Sequence, residues 1–147
     1  MGFSGATKLW LIGGNYFVTE GSSENKEFND VWVSDDGISW KKAVENAPFE
    51  ARTYHKAVVY QDRLFILGGR NSESSKYFND VWYTSDGINW EKGETETAFS
   101  PRAYFATLVA DDNLIVIGGE EIVKSIDYPD YFDKNYLTDL WYTSAVE

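Results

Sequence analysis

The chain has 147 residues, no cysteine and a formal net charge of -11. That length suits one domain, and 43% hydrophobic with 17% aromatic residues exclude disorder as its main state. Lack of Cys excludes disulfide frameworks, thiolate metal sites and cysteine nucleophiles, and the acidic balance sets the chain against phosphate backbones and anionic lipid, so neither nucleic acid nor a membrane is expected as a partner.

No apolar run approaches the roughly 18 residues that cross a bilayer, and the N-terminus has no basic start followed by an apolar stretch, so the chain reads as soluble and without a signal peptide. Its compartment stays open.

In chain order, the first strongly apolar segment is Lys8-Leu-Trp-Leu-Ile-Gly-Gly14. After a long polar stretch, Asn15 to Phe28, come Asn29-Asp-Val-Trp32 and Ser34-Asp-Asp-Gly-Ile-Ser-Trp40. The pattern then recurs. A second unit opens at Phe49 and runs through Arg52, Tyr54 and His55 to Tyr60, then Arg63-Leu-Phe-Ile-Leu-Gly-Gly69, Asn79-Asp-Val-Trp82 and Thr84-Ser-Asp-Gly-Ile-Asn-Trp90. A third opens at Phe99 with Arg102, Tyr104 and Phe105, and continues with Asn113-Leu-Ile-Val-Ile-Gly-Gly119 and Thr138-Asp-Leu-Trp141. The spacing is roughly 50 residues.

Each full unit predicts four short strands. In the second these are Tyr54 to Tyr60, Leu64 to Leu67, Val81 to Tyr83 and Ile88 to Trp90, with turns at Gln61-Asp62 and Asp86-Gly87. Tyr104 to Ala110 and Leu114 to Ile117 are their counterparts in the third. The paired glycines mark a backbone at positive φ or a close neighbour that leaves no room for a Cβ. No sustained helical period is present, so helix is expected to be scarce.

At these residues the chain resembles the kelch-repeat family, over nearly all of Lys8 to Ser144. The resemblance implies an all-β fold: a kelch-type β-propeller arc of about three four-stranded antiparallel blades, with the first strand of each innermost around a channel. The blades are expected at about 8–45, 49–95 and 99–147. Ten strands are expected, divided three, four and three, because only seven residues precede Lys8 and the third unit stops before an outermost Trp strand. An arc of about two and a half blades does not close a ring alone. A piece of a larger propeller, or self-association with other copies, is therefore expected.

Arg52 and Arg102 share one slot before the innermost strand. Kelch domains that bind acidic peptides use arginines there, so the resemblance implies that these two hold a ligand carboxylate. The alternative is a structural salt bridge to Asp30, Asp80 or Asp139 of an adjacent blade. The stretches Asn15 to Phe28, Arg70 to Phe78 and Glu120 to Tyr136 read as long loops, and the last sets Tyr128, Tyr131, Phe132 and Tyr136 among Asp127, Asp130 and Asp133. That mixture suits sugar stacking or peptide contact, with Tyr128 and Tyr131 as candidate ligand residues; an aromatic loop folded over its own blade is the alternative. The three aspartates lack the spacing of a calcium loop, and no metal or cofactor is expected. His55 reads as a packed ring and the recurring Trp residues as core between blades. Ser4 lacks the final glycine of a nucleophile elbow, and no triad is present.

The expected function is a binding or scaffold module for a protein segment or a glycan. The alternative is part of a kelch-propeller carbohydrate enzyme. Galactose oxidase-like copper chemistry needs two His and a Cys, which one His and no Cys exclude within this chain; sialic acid mutarotase-like acid and base work needs only carboxylates and Arg.

Overall fold

A computed structural model describes residues 8–17, 25–93, 99–124 and 132–143. Their regular structure is entirely β: β1 (Leu9–Phe17), β2 (Asn25–Ser34), β3 (Trp40–Val44), β4 (Lys56–Tyr60), β5 (Arg63–Leu67), β6 (Arg70–Asn71), β7 (Lys76–Tyr77), β8 (Val81–Thr84), β9 (Glu91–Lys92), β10 (Ala106–Ala110), β11 (Asn113–Lys124) and β12 (Phe132–Thr143). They form antiparallel blades ordered β1-β2-β3, β4-β5-β8-β9 and β10-β11-β12, beside a small ribbon β6-β7. Among the described residues the blades thus hold three, four and three strands, and the ribbon adds two that the sequence does not announce.

Local chemistry sets the turns. Gln61 and Asp62 lie at φ 46° and 55°, Asp111 and Asp112 at 48° and 56°, the double positive φ that joins two strands compatibly with their twist. The fourth strand of the second blade begins at Glu91, after the expected Ile88 to Trp90. Asp86 is the cause: its Oδ1 accepts from the backbone N–H of Ile88 and Asn89, both at 2.8 Å, and Thr84 Oγ1 accepts from Gly87 N–H at 2.9 Å. The chain wraps round the carboxylate instead of pairing. Asp36 does the same for Ile38 and Ser39 at 2.8 and 2.7 Å, and those two amides with Ser34 hold its carboxyl down at about 2.

Two segments expected as loops are in large part paired. Beyond Gly13 the ladder continues through Gly14↔Phe28 to Phe17↔Asn25, and beyond Gly118 through Gly119↔Leu137 to Lys124↔Phe132, each after a register shift at the glycine pair. Along the second extension most described side chains face water, with all of Phe132 to Tyr136 exposed, so no apolar alternation betrays it. At Gly68 both anticipated reasons for glycine hold. Its φ is 55°, and a Cβ there would lie 2.8 Å from the Arg102 carbonyl and 2.8 Å from the Phe105 ring.

The core lies between blades. Ile12, Val31, Ala47 and Phe49 meet Leu64, Ile66 and Trp90 in the first joint. Tyr60 and Leu67 meet Phe99, Phe105, Leu114 and Val116 in the second. Burying an aliphatic or Phe side chain contributes about 1.5–3 kcal/mol, so these joints carry most of the fold's apolar stabilisation. Trp90 is buried as expected, whereas Trp82 is half-buried, with its indole on Phe49 at 6.1 Å between ring centroids.

Candidate functional site

The second and third units each lead into their innermost strand through a segment tied to the blade before it. Arg52 N–H donates to the Phe28 carbonyl at 3.1 Å, and the Arg52 carbonyl accepts from Gly14 N–H at 2.9 Å. One unit on, Arg102 N–H donates to Phe78 and its carbonyl accepts from Gly69 N–H, at 2.9 and 2.8 Å. The arginine side chains then reach into their own blade. Arg52 donates to Asp80 at 2.5 and 3.0 Å, to the Gly68 carbonyl at 3.0 Å and to the Glu50 carbonyl at 3.0 Å, with Phe78 stacked 4.0 Å from its guanidinium. Arg102 donates to Asp139 at 2.7 and 2.8 Å, to the Gly118 and Ser100 carbonyls and to Ser100 Oγ.

Both arginines are 0% exposed. All five N–H groups of Arg102 and four of the five of Arg52 are thus engaged inside the protein. The anion expected from a ligand is supplied by Asp80 and Asp139, and each pair lies within one unit rather than across adjacent blades. For Asp80, burial pushes the carboxyl up, but the hydrogen bonds and charge of Arg52, with the Trp82 indole, outweigh it and hold it below the usual range. The Arg102 hydrogen bonds hold Asp139 at about 2. In the first blade Asp30 takes the Trp32 indole at 2.8 Å and Lys42 at 3.9 Å instead.

The backbone frame also fixes two further slots, one after each glycine pair, whose chemistry changes from unit to unit, and one beyond each buried arginine in the second and third units. The residue after each glycine pair is Asn15, Arg70 or Glu120. Arg70 and Thr53 exchange two backbone hydrogen bonds of 2.9 Å, and Glu120 and Ala103 exchange the same pair at 2.9 and 3.0 Å. Two residues past each buried arginine stand Tyr54 and Tyr104, at φ 55° and 58°. A bulky residue in this region is strained, and such strain persists only where the surroundings impose it. Strands β4 and β10 consequently start two residues later than expected.

Tyr54 and Tyr104 stack with ring centroids 3.9 Å apart. The Arg70 guanidinium lies 5.2 and 5.5 Å from the two rings, while its Nε is buried without a partner. Tyr77 donates to Glu120 at 2.8 Å, Lys134 to the same carboxylate at 3.2 Å, and Thr53 to Asn15 at 3.0 Å. Burial and the hydrogen bond with Tyr54 raise the Tyr104 phenol; burial and Glu120 raise that of Tyr77. The rim therefore stays neutral at Tyr77 and Tyr104 and positive at Arg70 at ordinary pH. Tyr104 is 45% exposed, so this cluster meets solvent where the two buried arginines do not.

Tyr128, Tyr131, Asp127 and Asp130 lie outside the described residues. Phe132, Asp133 and Tyr136 are on exposed β12, and His55 packs in the first joint, with a Gly13 Cβ position 3.4 Å from its ring. Sequence reading chose the arginine of Arg-x-Tyr and passed over its tyrosine and the residue after Gly-Gly. The signal was present in the contrast between an unchanging frame and the Asn, Arg, Glu series it displays.

Face-to-face antiparallel blades linked by this repeating frame define an arc of a β-propeller. The chain belongs to the kelch-repeat family: the KLHDC2/KLHL20/DRC7 Kelch-repeats domain matches residues 3–147. Kelch repeats generally mediate protein–protein contact. A search of curated proteins gives no match.

Proposed function

We propose that this chain is a protein-interaction module whose contact surface is the rim of Tyr54, Tyr104 and Arg70, bordered by Asn15, Tyr77 and Glu120. The observation that carries this reading is the strained tyrosine stack beneath Arg70. Aromatic rings and a guanidinium fixed in place offer large contact area with little side-chain entropy to lose, and Tyr and Arg are the residues that dominate binding energy at protein interfaces. Arg52 and Arg102 support the rim from below: their backbones join successive blades and their side chains anchor the segments that carry the two tyrosines. A peptide with a carboxylate or carbonyl to face Arg70 and an apolar residue for the rings suits the site.

Selection of binders from a random peptide library by the full chain, repeated with Tyr104→Ala and Arg70→Ala, tests this. Enriched peptides should bind the parent and lose at least tenfold in affinity to each variant. Peptides that bind all three equally would place the contact surface elsewhere. Enrichment of glycans instead, lost in the same variants, would move the reading to carbohydrate.

A further inference from the structure

Each end of the blade stack presents a face that a neighbouring blade closes elsewhere in the same chain. Leu64 and Ile66 of the second blade are 4% and 0% exposed beneath the first blade; the residues aligned with them in the first, Leu9 and Leu11, are 47% and 56% exposed. Trp40, aligned with buried Trp90, is 38% exposed. The pairs Leu9↔Ser34, Leu11↔Trp32 and Ser34↔Trp40 put these residues on one side of the sheet. At the other end Val31, 0% exposed, is matched by Leu140 at 56%, and Val58, packed on the second core, by Leu108 at 42%. Ile115↔Tyr142 and Ile117↔Leu140 place the 66% exposed Tyr142 on that same side.

The two end faces differ in kind. In both internal joints, the side carrying Val31 or Val58 packs on the side carrying Leu64 or Leu114 of the following blade. The open face of the third blade is of the first sort and the open face of the first blade is of the second sort, so each matches the other and neither matches itself. The turn glycines extend the parallel. Gly87 admits Trp10, whose ring would lie 1.9 Å from a Cβ there, and Gly37 holds the same turn in the first blade, where among the described residues Leu9 alone comes near. Ile115 stands in the third blade where Trp10 stands in the first.

We propose that two copies of this chain join head to tail, the β10-β11-β12 face of each on the β1-β2-β3 face of the other, as a closed pair of six blades. Ile115 of one copy would meet Gly37 of its partner, and Leu108, Leu140 and Tyr142 would cover Leu9, Leu11 and Trp40. Each joint pairs unlike faces, and two of them, related by a two-fold axis, close the pair so that no apolar face is left open.

Size-exclusion chromatography with light scattering on the full chain tests this. The expected mass is twice the 16.8 kDa of one chain. Leu11→Arg and Leu140→Arg each spoil one face and should each give monomers, yet an equimolar mixture should recover a pair, because one sound face of each kind remains. Leu9→Glu and Tyr142→Glu repeat the experiment if either arginine variant loses its far-ultraviolet β spectrum. A wild-type monomer at the highest soluble concentration would overturn the proposal and assign the faces to blades of another chain. A mixture that stays monomeric would overturn the head-to-tail geometry, and growth beyond two copies would overturn closure.

Discussion

The two joints between blades share a frame and differ in filling. In both, a buried Phe (Phe49 or Phe99) sits ahead of the arginine, and two aliphatics of the following blade (Leu64 and Ile66, or Leu114 and Val116) face the preceding one. The first joint adds two indoles edge-on to Phe49, Trp82 at 6.1 Å and Trp90 at 5.3 Å. In the second, Phe99 has the Phe105 ring at 6.3 Å, and Trp141, counterpart of Trp82, is 38% exposed. The first joint has His55 at the glycine pair where the second has Phe105. Identical backbone bonding thus tolerates unlike interiors, because the frame is held by carbonyls, amides and the buried arginines rather than by ring shape.

The aromatic difference should give the largest effect. Phe49→Ala leaves a cavity bounded by two indoles and should cost about 3–5 kcal/mol, and Phe99→Ala should cost less. Denaturant unfolding of both variants checks the order; equal costs would mean that the indoles add nothing to the first joint.

Next come the ion pairs. Arg52→Ala strands the Asp80 side chain, 19% exposed, and breaking such a buried pair costs about 3–5 kcal/mol. Arg102→Ala should cost less, since Asp139 is 37% exposed and water can reach its carboxylate. A larger loss at Arg102 by thermal denaturation would contradict this.

His55 sharpens the comparison through pH. Burial first, then the positive charges of Arg52 and Lys56, lower its pKa to about 4, against a hydrogen bond to Ile12 that favours the charged form; its Nδ1 is buried without a partner. The folded state therefore takes up a proton less readily than the unfolded chain. The stability due to neutral His55 is complete above about pH 6.5 and falls away as pH drops toward 4, by at most about 3 kcal/mol. His55→Phe, which copies the second joint, should flatten stability across that window. A slope unchanged by the substitution would show that carboxylates alone set it.

Most of the frame was legible in the sequence because it repeats. Gly-Gly and Asp-Val/Leu-Trp recur in all three units and Arg-x-Tyr in the second and third, because they meet backbone and anchor requirements of the frame. Where a carboxylate overrules propensity, as Asp86 does for Ile88 to Trp90, strand-forming residues misled. Where both faces are wet, as along β12, pairing leaves no pattern to read. The arginine slot was legible but its direction was not, since Asp80 lies 28 residues from Arg52. The rim of Tyr54, Tyr104 and Arg70 exists only across units, and no single unit displays it.

The most direct test of the division between frame and rim compares Arg70→Ala with Arg102→Ala in one titration against a selected peptide, alongside their unfolding midpoints. The rim account predicts that Arg70→Ala abolishes binding with the midpoint little changed, while Arg102→Ala lowers the midpoint and, below its unfolding range, still binds. Loss of binding in a fully folded Arg102→Ala chain, with Arg70→Ala binding as the parent does, would contradict it.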